Sequence, residues 1–131
     1  MISREQKYAT SVYRRVKAVA DQYPQENASE RKEYGSMALK LPVLVRQAGL
    51  VQALAFVGSR DKSSLNRLLD DLAATVGENN RAQLLRRSRE AELEEYMALT
   101  EKTLLALKWY KRFAQSILKV KPTDEAATEG G

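Results

Sequence analysis

The sequence predicts an all-α protein: a compact single-domain helical bundle of about six to seven helices, some of them short. Three observations predict it. Apolar residues recur at three- and four-residue intervals along most of the chain, the spacing of helices with one buried face. At 131 residues and 44% apolar, the chain has the length and the material for one core. No internal repeat and no domain linker interrupts the pattern, so a helical domain over residues 1–121 and a flexible acidic tail over 122–131 are expected.

The first helix is expected over residues 3–23, where Ala9, Val12, Tyr13, Val16, Val19, Ala20 and Tyr23 mark one face. Ser3 followed by Gln6 has the capping-box spacing, and Pro24 ends the periodicity. A second helix starts near Ser29 or Glu30 and carries Tyr34, Met37, Ala38 and Leu41. Pro42 should break or kink it, or else open a new short helix holding Leu44, Val45 and Ala48, with Gly49 as a left-handed cap. Residues 50–57 read as a short helix closed by Gly58-Ser59. The alanines at 53 and 55 are poor strand formers, and no polar alternation appears. Being apolar around most of its circumference, this segment is the expected centre of the fold, with Leu54 and Phe56 in the core.

After a charged turn at 60–62, Ser63 or Ser64 should cap a helix that buries Leu65, Leu68, Leu69, Leu72, Ala73 and Val76. The run Gly77-Glu78-Asn79-Asn80 ends it. A short helix over 81–87 and a long one from Ser88 or Arg89 to Lys119 complete the bundle, with Trp109, Tyr110 and Phe113 on the broad apolar side of the last.

Composition narrows the chemistry. The chain has no histidine, which removes the imidazole base, the His metal ligand and the Ser-His nucleophile. It has no cysteine, which removes disulfides and thiolate sites and fits a cytoplasmic setting. No signal core, membrane-length apolar run or glycine-rich phosphate loop is present, so neither a membrane partner nor a cofactor is expected. The pairs Asp70-Asp71 and Glu94-Glu95 suggest Mg²⁺. Adjacent helical residues point about 100° apart, which favours solvent-facing charge over a shared ion. The expected protein is not an enzyme.

Lysine and arginine number 22 against 17 acids, giving a net charge of +5. That excess permits a nucleic-acid or acidic-protein partner. On the first helix Arg4, Lys7, Arg14 and Lys17 lie opposite the apolar face, with Arg15 at its flank, either as a solvated surface or as one that tracks phosphates. On the last helix Lys108, Arg112 and Lys119 share a face with Gln115, and Glu90, Glu94 and Glu101 precede them along it. Complementing the helix macrodipole explains part of that order. Arg86, Arg87 and Arg89 form a third cluster, suited to phosphates or to pairing with Glu90, Glu92 and Glu94.

Several ordered motifs carry a resemblance: Tyr34-Gly35, Ala38-x-Lys40-Leu41-Pro42-x-Leu44-Val45, Gly49-Leu50-x-x-Ala53-Leu54-Ala55-Phe56, Leu69-x-x-Leu72, Glu95-Tyr96-Met97-x-Leu99-Thr100 and Trp109-x-Lys111-Arg112-Phe113-Ala114. Together with Gln6-Lys7-Tyr8-Ala9 through Val16, this series resembles the small-subunit family of type III-B CRISPR effector (Cmr) complexes over residues 4–118. The resemblance implies a non-catalytic, all-helical subunit of an antiviral ribonucleoprotein. Copies would stack head to tail beside a filament of backbone subunits, with the other Cmr subunits, the CRISPR RNA and the target RNA as partners. Base pairing reads the sequence in such an assembly, so the subunit needs only phosphate contacts. Charge and motif position put Lys40, Arg46, Lys111 and Arg112 first as nucleic-acid-binding residues, followed by Arg14, Lys17 and Lys108. Gly35 and Gly49 are expected to serve close backbone approach and capping. Two rival functions remain at this point: a protein spacer in the complex that never touches RNA, and a Mg²⁺-dependent nuclease using Asp70 and Asp71.

Overall fold

The computed structural model describes residues 1–122, and residues 123–131 of the expected tail lie outside that description. Six helices follow one another: α1 (Arg4–Gln22), α2 (Ser29–Ala48), α3 (Leu50–Ser59), α4 (Ser63–Thr75), α5 (Arg81–Glu90) and α6 (Leu93–Ser116). Among the described residues there is no strand. No helix of these residues is long and apolar enough to cross a membrane.

The capping box at the start of α1 forms as its spacing predicts. The Gln6 N–H donates to Ser3 Oγ at 3.1 Å, and the Ser3 N–H donates to Gln6 Oε1 at 2.8 Å. Helix α2 runs through Pro42 as one helix, so neither the expected break nor the separate short helix after it forms. The proline withholds a donor from the Ala38 carbonyl, but Leu39, Leu41 and Val45 on either side are buried. Tertiary packing outweighs the local loss. Gly49 joins α2 to α3 with φ +89° and ψ 160°, a region reserved for glycine but not the left-handed helical cap expected. Its N–H still caps α2, donating to the Val45 carbonyl at 2.9 Å.

Two other boundaries move. Lys62 occupies the N-cap of α4 without a side-chain bond, while Ser64 Oγ, expected as a cap, donates instead to Glu33 Oε1 at 2.8 Å. The chain between α5 and α6 turns at Ala91-Glu92, where both residues have extended backbone, so α6 starts at Leu93 rather than at 88 or 89. No glycine or proline marks that turn. At the other end α6 stops at Ser116, which leaves Lys119 outside the helix with φ +62°.

Helices α1, α4, α2 and α6 form a ring: α1 packs on α4 and α6, and α2 packs on the same two from the other side. The interior is filled by Val12 and Val16, Leu41 and Val45, Leu68 and Leu72, and Leu107 and Tyr110, all buried. Each such aliphatic side chain contributes about 2 kcal/mol relative to exposure. Helix α3 lies outside this ring against α2, α4 and α5. It buries Leu50, Ala53, Leu54 and Val57, yet Phe56 is 40% exposed and Ala55 and Gln52 face solvent. The expected centre is therefore a flank, and Phe56 is not core. An almost wholly apolar helix needs burial only where a neighbour exists, and α3 has neighbours on one side.

Helix α2 is the true middle, packed on α3, α4 and α6 and burying ten of its residues. Gly35 lets the segment after α6 lie directly on it, since a Cβ there would run into the side chain of Val120 and approach Leu118 Cδ1 to 3.4 Å. Gly35→Ala is expected to cost about 1–2 kcal/mol despite the better helix propensity of alanine, because overpacking dominates. Chemical denaturation checks the sign: stabilisation would show that Val120 moves aside freely.

Candidate nucleic-acid interface

Residues four apart on a helix stack on one face, and two such stripes meet between α2 and α6. Pro42 and Arg46 come from α2. Lys108, Lys111, Arg112 and Gln115 come from α6 at spacings of three and four. Together they line a groove of about 400 Å³. Arg46, Lys108, Lys111 and Arg112 are exposed, and among the described residues no carboxylate lines the groove. Among the described residues Lys108 alone of the four is paired, with Glu5 Oε1 of α1 at 2.7 Å, and its Nζ lies 5.5 Å from the Trp109 ring centroid. Lys108 and Arg112 are like charges one turn apart, an arrangement that costs a few tenths of a kcal/mol, roughly, until an anion sits between them.

The macrodipole accounts for less of this pattern than the sequence implied. Glu94 and Glu95 do occupy the first turn of α6, but the last turn holds no base. The dipole effect fades beyond the terminal turn. The bases at 108, 111 and 112 therefore stand without that explanation.

Four of the seven sequence-predicted residues thus converge: Arg46, Lys108, Lys111 and Arg112. The other three do not join them. Lys40 is half-buried, its Nζ 5.4 Å above the Phe56 ring on the α2–α3 side. Arg14 lies between α1 and α4. Lys17 donates to Asp21 Oδ1 at 2.6 Å, and that hydrogen bond raises its pKa. Pro42 is a groove residue that the sequence reading considered for its effect on the helix and not for a site. Its spacing of four from Arg46 is the signal that places it on the same wall.

The aromatic residues mostly pack. Tyr110 is buried with its hydroxyl 2.9 Å from Thr75 Oγ1, and burial pushes its pKa well above the ordinary value. Trp109 and Phe113 lie at the edge of the core with ring centroids 5.6 Å apart, and Tyr13 meets Phe113 edge-on at 5.7 Å.

The acidic pair Asp70-Asp71 splits. Asp70 is bound by Arg81 at 2.7 Å. Asp71 turns inward, accepting from the Tyr34 hydroxyl at 2.6 Å with Arg15 Nη1 at 3.7 Å, so it is not the solvent-facing charge expected. Burial raises its pKa. Among the described residues no three metal-ligating side chains cluster. Arg87 sits 3.8 Å from Glu78 and 4.0 Å from Glu95, neither of them an expected partner. Arg86 and Arg89 line a separate shallow cleft with Asn79 and Asn80.

Fold and groove define a class: a small all-helical protein that carries a strip of bases shared by two helices. Its residues 4–117 match the model of the family described as CRISPR-associated protein (Cas_Cmr5), and the chain belongs to the Cmr5 family. A protein of Thermus thermophilus, described as CRISPR system Cmr subunit Cmr5, is 46% identical over 119 residues, which span 91% of this chain and 99% of that protein. An X-ray crystal structure of a CRISPR-associated Cmr5 family protein from the same organism superposes with a TM-score of 0.80 at 46% identity, covering 89% of this chain and 98% of that one.

Proposed function

We propose that this chain is a non-catalytic small subunit of a type III-B CRISPR (Cmr) ribonucleoprotein, stacked in copies beside the backbone filament, whose α2–α6 groove helps hold the duplex of CRISPR RNA and target RNA. The observation that carries this reading is the convergence of Arg46, Lys108, Lys111 and Arg112 on one groove, with no carboxylate among the described residues that line it. Lysine and arginine contact phosphates without selecting bases, which suits a strand whose sequence is read by pairing. Family membership supports the assembly: the Thermus relative is described as a Cmr subunit, and other Cmr subunits are the corresponding partners here. Lys40, Arg14 and Lys17, displaced from the groove, are secondary candidates for RNA contact.

The test is the double variant Lys111→Glu, Arg112→Glu, incorporated into the assembled complex. Both side chains are exposed, so the domain should unfold at the wild-type temperature. Target RNA capture at moderate salt is expected to weaken about tenfold, with a flatter salt dependence. Wild-type capture by a complex containing the variant would remove the groove from RNA binding. A protein-spacer reading draws on a separate observation, the exposure of Phe56, Leu93 and Met97 on the surface. Crosslinking within the complex separates the two: RNA adducts at Arg46 and Lys111 favour the groove, and protein adducts alone favour the spacer.

A further inference from the structure

The side of the bundle between α1 and α4 lies apart from the α2–α6 groove. That side holds a second cleft, of about 280 Å³, lined by Ser11, Arg14, Arg15, Ala18, Arg67 and Asp71. It shares no residue with the groove. Three guanidinium groups face one carboxylate, so the lining carries a net positive charge.

Two of these arginines are held in position. Arg15 Nε donates to Ser11 Oγ at 3.2 Å, and its Nη1 lies 3.7 Å from Asp71 Oδ1. Arg67 Nη1 donates to Gln22 Oε1 at 2.5 Å. Arg14 is exposed, and no acceptor holds it among the described residues. Asp71 is anchored from behind, where its Oδ2 accepts from the buried Tyr34 hydroxyl. Ser11 is fixed in the same way, its Oγ 3.1 Å from Thr75 Oγ1. Most guanidinium N–H groups of the cleft thus have no protein acceptor among the described residues, although the frame that carries them is fixed. Arginine forks in that state match the oxygens of a phosphate, which accept bidentate hydrogen bonds, better than the point charge of a lysine would.

We infer that the α1–α4 cleft is a second phosphate-binding site, independent of the α2–α6 groove, with Arg14, Arg15 and Arg67 as its ligands. The phosphate belongs either to a nucleic-acid backbone or to free phosphate. With two sites that share no lining residue, one copy of the chain contacts polyanion at two separate places. Asp71 opposes an anion here, but its Oδ2 accepts from the Tyr34 hydroxyl and its Oδ1 lies 3.7 Å from Arg15 Nη1, so its charge is partly offset within the cleft.

The experiment records arginine Nε–Hε resonances of the full chain during separate titrations with inorganic phosphate, a single-stranded oligoribonucleotide and an acidic peptide of matched charge, at constant ionic strength. Shifts at Arg14, Arg15 and Arg67 with both phosphate probes support the site and include free phosphate among its ligands. Shifts with the oligoribonucleotide alone support it and assign the phosphate to a strand. No shift at these residues, shifts confined to Arg46 and Arg112, or equal shifts with the peptide would overturn it. In a second measurement, Arg14→Gln with Arg67→Gln should weaken oligoribonucleotide binding roughly tenfold and reduce the logarithmic salt slope by about 1.4. The same pair leaves the α2–α6 groove intact, so a loss here is separable from a loss there. Unchanged affinity in a folded variant counts against the site.

Discussion

Arg31→Met is expected to lower the free energy of unfolding by about 3 kcal/mol, the loss typical when a buried charged donor is removed from its acceptors. Arg31 is only 6% exposed. Among the described residues it has no carboxylate as a hydrogen-bond partner. Its Nε donates to the Leu118 carbonyl at 3.2 Å and its Nη2 to the Ile117 carbonyl at 3.1 Å. Its Nη1 reaches the carbonyls of Tyr23 at 3.1 Å and Pro24 at 3.4 Å. Tyr23 caps the C-terminus of α1 and Ile117 that of α6. The negative ends of two helix dipoles therefore meet on one cation, and the carbonyls they leave unpaired find their donors there. Methionine fills the volume but strands those carbonyls. Lysine restores the charge without the planar fork, so Arg31→Lys should recover less than half of the loss. Urea midpoints of the three proteins check the order, and equal stability of the wild type and Arg31→Met would refute this account.

That arginine also shows where the sequence stops being readable. Residues 29–34 read Ser-Glu-Arg-Lys-Glu-Tyr, and nothing local separates Arg31 from Lys32. Only the return of the chain after α6, 87 residues later, brings the Leu118 carbonyl to it. Helix existence depends on local spacing, which is why α1 and its capping box and the leucine stripe of α4 were legible. Helix continuity through Pro42 depends on what packs around it. The turn at Ala91-Glu92 depends on where α6 must lie against α1 and α2. Both of these are tertiary, and both escaped the pattern.

The groove was legible in part for the same reason. The spacing 108, 111, 112, 115 is a property of one helix, and it put Lys108, Arg112 and Gln115 on a shared face. That Arg46 joins them follows from the α2–α6 packing, while charge and motif position had selected it. Lys40 shared its motif and its charge yet lies on the α2–α3 side, because six residues of helix turn it well away from Arg46. The α1–α4 cleft needed Arg67 to approach α1, a contact with no signature in sequence.

Asp71→Ala is expected to destabilise the fold by about 2–3 kcal/mol, whereas Asp71→Asn should change stability by less than about 1 kcal/mol. The difference isolates what the carboxylate does. Tyr34 is 1% exposed, and its hydroxyl has Asp71 Oδ2 as its hydrogen-bond partner at 2.6 Å. Alanine leaves that buried hydroxyl without an acceptor, but asparagine supplies a carbonyl oxygen. The charge itself contributes little. The contact with Arg15 is long, at 3.7 Å, and the Arg15 side chain is 35% exposed, so solvent screens it. Burial is the largest influence on the Asp71 pKa and raises it, against the hydrogen bond from Tyr34 and the pull of Arg67 and Arg15. The folded state therefore holds the Asp71 proton more tightly than the unfolded chain does. In the window between its unfolded pKa near 3.8 and its raised folded pKa, this residue makes stability fall as pH rises, and above that window the penalty for ionising it is fully present. Asp71→Asn removes that contribution. Stability measured from pH 4 to pH 7 should thus decline less, or rise more, for Asp71→Asn than for the wild type. Parallel profiles would mean that the carboxylate is as well solvated in the fold as outside it.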